Sequence, residues 1–200
     1  TVFTAPISTD GTIGTWAAGT SLPTGFSDSQ AVVTKNRVYL LGGYNSSNKT
    51  NPASVAVSVI NSDGTLGTWS YAPELPFGRI NAHVVATKNR VYLIGGEGVS
   101  GPTSVVHTAP INSDGTLGTW SSGLPLPQAS APSAVVVTNN KVHLLSQLYT
   151  GSLEAPINSD GTIGTWTVGS NKLPVEGFSF STVVTKNRVY AFSGLSDSIN

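Results

Sequence analysis

Four aspartates recur in one setting along the chain. Asp10, Asp63, Asp114 and Asp160 are each followed by Gly-Thr, an aliphatic residue, Gly-Thr and a tryptophan. A ring of carboxylates is worth weighing as a calcium site, because that ion takes about six to eight oxygen ligands. Each segment offers one carboxylate, however, and Asp-Gly is a strong hairpin signal, with the type I′ turn wanting positive φ at both central residues. The four are therefore read as structural turns. Arg37, Arg90 and Arg188, with Lys141 in the third place, form a second charged series. They stand beside hairpins and read as exposed charge rather than as a basic ring. His83, His107 and His143 occupy unrelated positions and do not make a metal set. With no cysteine in the chain, thiolate metal sites, iron–sulfur clusters, disulfides, thiol nucleophiles and a cysteine-modified tyrosine for copper chemistry are all excluded. Glu97 and Glu154 are candidates for paired acid–base work on sugars, but their spacing gives this no support. No serine-nucleophile motif occurs. The expectation is a protein without catalytic, cofactor-binding or metal-ligating residues, hence not an enzyme.

The aspartate segments belong to a longer repeat, and repeats decide the fold. All four tryptophans, Trp16, Trp69, Trp120 and Trp166, end these segments, at intervals of 53, 51 and 46 residues. Between them lies a second unit: Thr34-Lys-Asn-Arg-Val-Tyr39, Thr87-Lys-Asn-Arg-Val-Tyr92, Thr138-Asn-Asn-Lys-Val-His143 and Thr185-Lys-Asn-Arg-Val-Tyr190. Two of these run on into glycine pairs, Gly42-Gly43 and Gly95-Gly96. One repeat reads as four short strands. Residues 82–87 are apolar and β-branched, Lys88-Asn89 turns the chain, and residues 90–94 return. The glycine pair breaks the strand, residues 104–109 form a third, Asp114-Gly115 turns, and residues 117–121 form a fourth. A Leu-Pro then marks the connection to the next unit, because proline cannot continue a ladder. Nowhere is there a helical apolar period of useful length. The tyrosine of the second unit alternates with valine and is expected to pack between units, and the tryptophans to point inward. A buried Trp removes on the order of 200 Å² from water, worth at most about 5 kcal/mol.

Four strands per roughly 50 residues is the arithmetic of a propeller blade. A glycine pair after a Val-Tyr-Leu strand, followed by a tryptophan strand, resembles the kelch repeat, and the resemblance covers all four units. It departs from kelch in lacking a tyrosine between the glycine pair and the tryptophan, in longer loops, and in the third unit, which has no glycine pair. The aspartate segments also resemble the sialidase Asp-box, although the Asp-to-Trp interval is one residue longer and the glycines fall elsewhere. The expected architecture is all-β: one β-propeller domain over residues 1–200, of four-stranded antiparallel blades. The units run over approximately 28–76, 81–127, 133–174, and 181–200 joined with 1–23. The chain opens in a third strand and closes in a second, so its ends are expected to share one blade, two strands each. A larger ring made with more chain or a second copy is the alternative. Thr1 in place of an initiator methionine reads as a processed or excised piece.

Recognition is expected where the repeat is broken. Tyr44, Phe77, Arg79, Glu97 and Phe178 are the candidate binding residues, on loops joining strands, where scaffolds present ligands. Aromatic rings there can stack on sugars or anchor a partner. Asn45-Ser-Ser and Asn48-Lys-Thr are formal glycosylation acceptors, of the kind that chance supplies in a Ser/Thr/Asn-rich chain. Charged residues are only 10% of the chain and the net charge is zero, which removes the basic footprint of nucleic-acid binding. No apolar run approaches the roughly 20 residues of a membrane-spanning helix. The expected function is a non-catalytic module contacting protein or glycan through its blade loops. The alternatives are a structural part of a viral tail, capsid or bacterial surface assembly, and, more remotely, a sugar-active propeller enzyme. Low charge and near-identical repeats favour a setting outside the cell or on a virion, in a larger assembly or homo-oligomer.

Overall fold

A computed structural model describes residues 2–25, 27–45, 50–145, 152–170 and 178–195, with backbone only for 178–180 and 193–195. Every regular element among them is a strand. β1 (Phe3–Thr4) and β2 (Ala17–Ala18) form an antiparallel pair. β3 (Gln30–Thr34), β4 (Arg37–Leu41), β5 (Val55–Val59) and β6 (Ser70–Ala72) form a four-stranded antiparallel sheet in sequence order. The second unit supplies β7 (His83–Ala86) and β8 (Arg90–Ile94), a small hairpin of β9 (Glu97–Gly98) with β10 (Gly101–Pro102), then β11 (Val106–Pro110) and β12 (Ser121–Ser122). Its main sheet has the order β7-β8-β11-β12. The third contains β13 (Ala134–Thr138), β14 (Lys141–Leu145), β15 (Leu153–Pro156) and β16 (Thr167–Val168). β17 (Phe178–Val184) and β18 (Val189–Leu195) form a last antiparallel pair.

The apolar core lies between consecutive sheets. One cluster joins Val32, Tyr39, Leu41, Val55 and Val57 of the first sheet to Val91, Leu93, Ala109, Leu117 and Trp120 of the second unit. Another joins Val85, Tyr92, Ile94 and Val106 to Val142, Leu144, Leu153, Ile163 and Trp166 of the third. Strand β3 packs beside β7, β7 beside β13 and β13 beside β17. The second sheet, shared by both clusters, thus buries both faces, and its middle strands read as near-continuous apolar runs such as Arg90-Val-Tyr-Leu-Ile94, whereas burial alternates along β14 and β15 of the third.

Two local readings need correction. The Asp-Gly segments are not type I′ turns. Only the glycines (Gly11, Gly64, Gly115 and Gly161, φ 80–85°) are left-handed. The turn spans four residues: Gly64 N–H donates to Asn61 C=O and Asn61 N–H to Thr65 C=O, with equivalents in the other units. This is the longer hairpin form that ends on a left-handed glycine. The aspartate keeps an ordinary φ because its carboxylate accepts from Thr two residues on, as Asp63 Oδ1 does from Thr65 N–H at 2.9 Å and Oγ1 at 2.6 Å. Those bonds hold all four carboxyls below the usual aspartate range.

The tryptophans, too, are not equivalent. Trp69, Trp120 and Trp166 are buried at 5–7% exposure, whereas Trp16 is 63% exposed. Trp120 Nε1 donates to Pro73 C=O and Trp166 Nε1 to Leu124 C=O, each acceptor belonging to the segment after the previous unit's tryptophan. By the same spacing the position for Trp16 is Ser170, the last described residue before 171–177, and Trp16 lies exposed rather than packed against it. Strands β1–β2 and β17–β18 stand as separate two-stranded sheets, with no ladder between them.

A candidate binding site where the four units meet

The first strands of successive units lie side by side, so residues at their leading ends are drawn together. Gln30, His83 and Ser181 each sit four residues before the threonine of their unit's Thr-Lys-Asn turn. With Ser133 from the third unit, they line a pocket of about 380 Å³, joined by Asp28, Asn81 and Glu97 and floored by Ala82, Ala131 and Pro132. All four units contribute to it. Asp28 and Asn81 are themselves repeat-equivalent, two residues before Gln30 and His83, and both are left-handed, with φ of 55° and 52°. Outside glycine, Asp and Asn tolerate this region best, and the turn they make aims the chain into its first strand.

The lining is polar and ordered by hydrogen bonds. His83 Nε2 donates to Pro132 C=O at 2.9 Å, which fixes the tautomer and leaves Nδ1 as an acceptor. Burial pushes this imidazole below its ordinary range, with the Pro132 carbonyl opposing the shift. Asn81 Nδ2 donates to Glu97 Oε1 at 3.3 Å, across the backbone bridge between Ile80 and Glu97. Gly96 holds this bridge at φ 89°, where a Cβ would stand 2.6 Å from Ile80 C=O. The carboxylates accept, and the carboxamides and hydroxyls both donate and accept, so together the lining can satisfy neutral polar ligands. No Lys or Arg is among the described lining residues, so the pocket is poorly suited to phosphate or other anions.

The residues singled out from sequence are distributed differently. Glu97 lines the pocket. Tyr44 is half-buried and does not line it, its backbone being bridged to Ser27. Phe77 is 37% exposed and makes an edge contact with the His107 ring, with the Arg79 guanidinium 4.9 Å from its own centroid. Arg79 was expected at a recognition loop, but it is wholly buried. Its Nη1 donates to Gly95 C=O and Val105 C=O, both at 2.8 Å, and Nη2 to His107 Nδ1. Burial lowers it to about 10, and burial with the adjacent guanidinium lowers His107 to about 4. The pair is an internal tie, not a surface on offer. Phe178 begins β17, and its side chain lies outside the described residues, as do Glu176 and residues 46–49 of the Asn-Lys-Thr loop.

Glu97 and Glu154 do not share the pocket: Glu154 is ion-paired to Lys141 at 2.6 Å across β14 and β15. Among the described residues no group of three or more His, Asp or Glu is placed to hold a metal, and no helix is long and apolar enough to cross a membrane. Gln30, Asn81, His83, Ser133 and Ser181 were not singled out as a site from sequence. A signal was present: one position, four before the turn threonine, reads Gln, His, Ala and Ser where the surrounding repeat barely changes. No protein-family model and no curated protein matches the chain.

Proposed function

We propose that the four units are blades of a kelch-like β-propeller, with the fourth blade shared by the chain's two ends, and that the protein is a non-catalytic binding module. The observation that supports this reading is the polar pocket to which all four units contribute. A site assembled at the meeting point of repeats has a rigid frame and variable lining, which is what a recognition surface requires. Its hydroxyl, amide and carboxylate groups suit a neutral polar partner, a glycan or an exposed peptide loop. The test is a glycan and peptide array probed with the wild-type chain and with the double variant Gln30→Ala/Ser181→Ala. Binding that falls at least tenfold in a variant with unchanged circular dichroism is the expected outcome. A ligand held equally by both proteins places recognition elsewhere.

A structural role in a viral tail, capsid or bacterial surface assembly is the second reading. It is favoured by the apolar residues that the two terminal hairpins expose, including Phe3, Ile7, Ile13 and Trp16 on one and Val189 and Phe192 on the other.

A further inference from the structure

Neighbouring units are locked by one repeated device. Thr34 Oγ1 and Tyr39 OH of the first unit both donate to Gly115 C=O, in the Asp-Gly turn of the second, at 3.1 and 2.9 Å. Thr87 Oγ1 and Tyr92 OH of the second donate in the same way to Gly161 C=O of the third, at 2.7 and 3.3 Å. Gly115 and Gly161 are covered by these neighbours, with Asn36 Oδ1 and Thr87 Oγ1 2.9 and 3.2 Å from where a Cβ would stand. Gly64 in the turn of the first unit, like Gly11 in that of the fourth, has nothing within 4 Å. Its seat is empty. A second vacancy adjoins it: Trp69 Nε1 is buried without an acceptor, although the tryptophans of the next two units each bond a carbonyl four residues beyond the preceding tryptophan. By that rule its acceptor is Thr20 C=O. Thr20 is already close, its Oγ1 donating to Gly67 C=O, and a cavity of about 370 Å³ separates Ala18, Gly19 and Thr20 from Thr65 and Leu66.

One exact copy of the locking segment is unused; the third unit has His143 in place of the tyrosine, and its Thr138 Oγ1 is hydrogen-bonded to His143 Nε2 instead. Thr185-Lys-Asn-Arg-Val-Tyr190 repeats residues 87–92 letter for letter. Its turn is already formed, with Thr185 N–H and Oγ1 both donating to Arg188 C=O as Thr87 does to Arg90 C=O. Tyr190 is 44% exposed, where Tyr39 and Tyr92 are at 1% and 3%. The geometry points to this chain's own β17–β18 as the occupant: Thr185 and Tyr190 seat on Gly64 C=O, and β18 pairs with β1 to complete a fourth sheet, β17-β18-β1-β2. The register follows from the complete sheets, where Tyr39 faces Val57, Tyr92 faces Thr108 and His143 faces Glu154. It places Tyr190 opposite Thr4, Arg188 opposite Pro6 and Phe192 opposite Val2. This inference rests on the propeller reading and makes its closure specific to named pairs.

The chain has no cysteine, so an engineered pair reports without background. Val2→Cys/Phe192→Cys, oxidised at low protein concentration, is expected to give a cross-linked monomer as the main species. Val2→Cys/Ala191→Cys, one residue out of register, is expected to link at least tenfold more slowly. As a second measurement, Tyr190→Phe is expected to lower the urea midpoint by as much as Tyr92→Phe. A linked dimer overturns closure within one chain while leaving a propeller built from two chains intact. No linkage, or Tyr190→Phe without effect, overturns the seat. Failure of the propeller itself would show separately, as an elongated scattering profile of the unmodified chain.

Discussion

At the scale of single residues, burial separates side chains that look alike in sequence. Trp120 packs in the core between the first two complete sheets and donates to Pro73 C=O. Trp120→Ala is expected to cost about 3–5 kcal/mol, the usual range for emptying an aromatic site in a core, read as a lower urea midpoint. His107 carries a pH dependence with a definite sign. Accepting from Arg79 requires a neutral ring, and burial with the neighbouring guanidinium lowers its pKa to about 4. The unfolded chain, with an ordinary histidine near 6.5, therefore takes up the proton first. This contribution to stability is complete above about pH 6.5 and is lost as pH falls toward 4. His83 and His143 are lowered by burial in the same direction, so His107→Gln is expected to flatten the pH profile of the urea midpoint between 6.5 and 4 without abolishing its slope. An unchanged slope would mean that the Arg79–His107 tie does not exist in solution. Sequence could not have shown this tie. A lone arginine outside the repeat reads as a surface feature, and only the fold reveals that the Gly95 and Val105 carbonyls turn inward to meet it.

At the scale of elements, the period-two pattern, the turn residues and the Leu-Pro connections were enough to place the first three main strands of each complete unit. What they missed was chemistry shared between units. The Asp-Gly turn was legible as a turn, but not its type, because an aspartate capped by the threonine two residues on leaves only the glycine left-handed. Nor was its second role legible, as the acceptor that receives the neighbour's threonine and tyrosine. Tyr92 OH also accepts from the buried Ile163 N–H at 3.0 Å. Tyr92→Phe strands that donor and is expected to cost about 1–3 kcal/mol, measured by chemical denaturation. A change of only a few tenths would show that water replaces the hydroxyl. The fourth strand starts after the tryptophan rather than before it, since Leu117 makes only an isolated bridge to Ile111 and Trp120 turns into the core.

At the scale of the molecule, the repeat count and the all-β class were readable because each unit carries its own punctuation. The pocket where the units meet was not, because its residues are far apart in sequence and related only by their register on the first strands. The ends of the chain decide what the whole becomes. Two half-sheets expose residues whose counterparts in the complete sheets are buried, and closing them on each other removes both open edges. Amide hydrogen exchange at β18 tests this most directly. The ladder alternates from the Thr185–Arg188 pair, so Tyr190 and Phe192 direct their N–H groups to β17, while Val189 and Ala191 direct theirs to the open edge. Closure on β1 predicts that Val189 and Ala191 exchange as slowly as Val91 and Leu93 in the middle of the second sheet. Exchange of those two amides at the rate of an unprotected chain, with Tyr190 and Phe192 still slow, would contradict it.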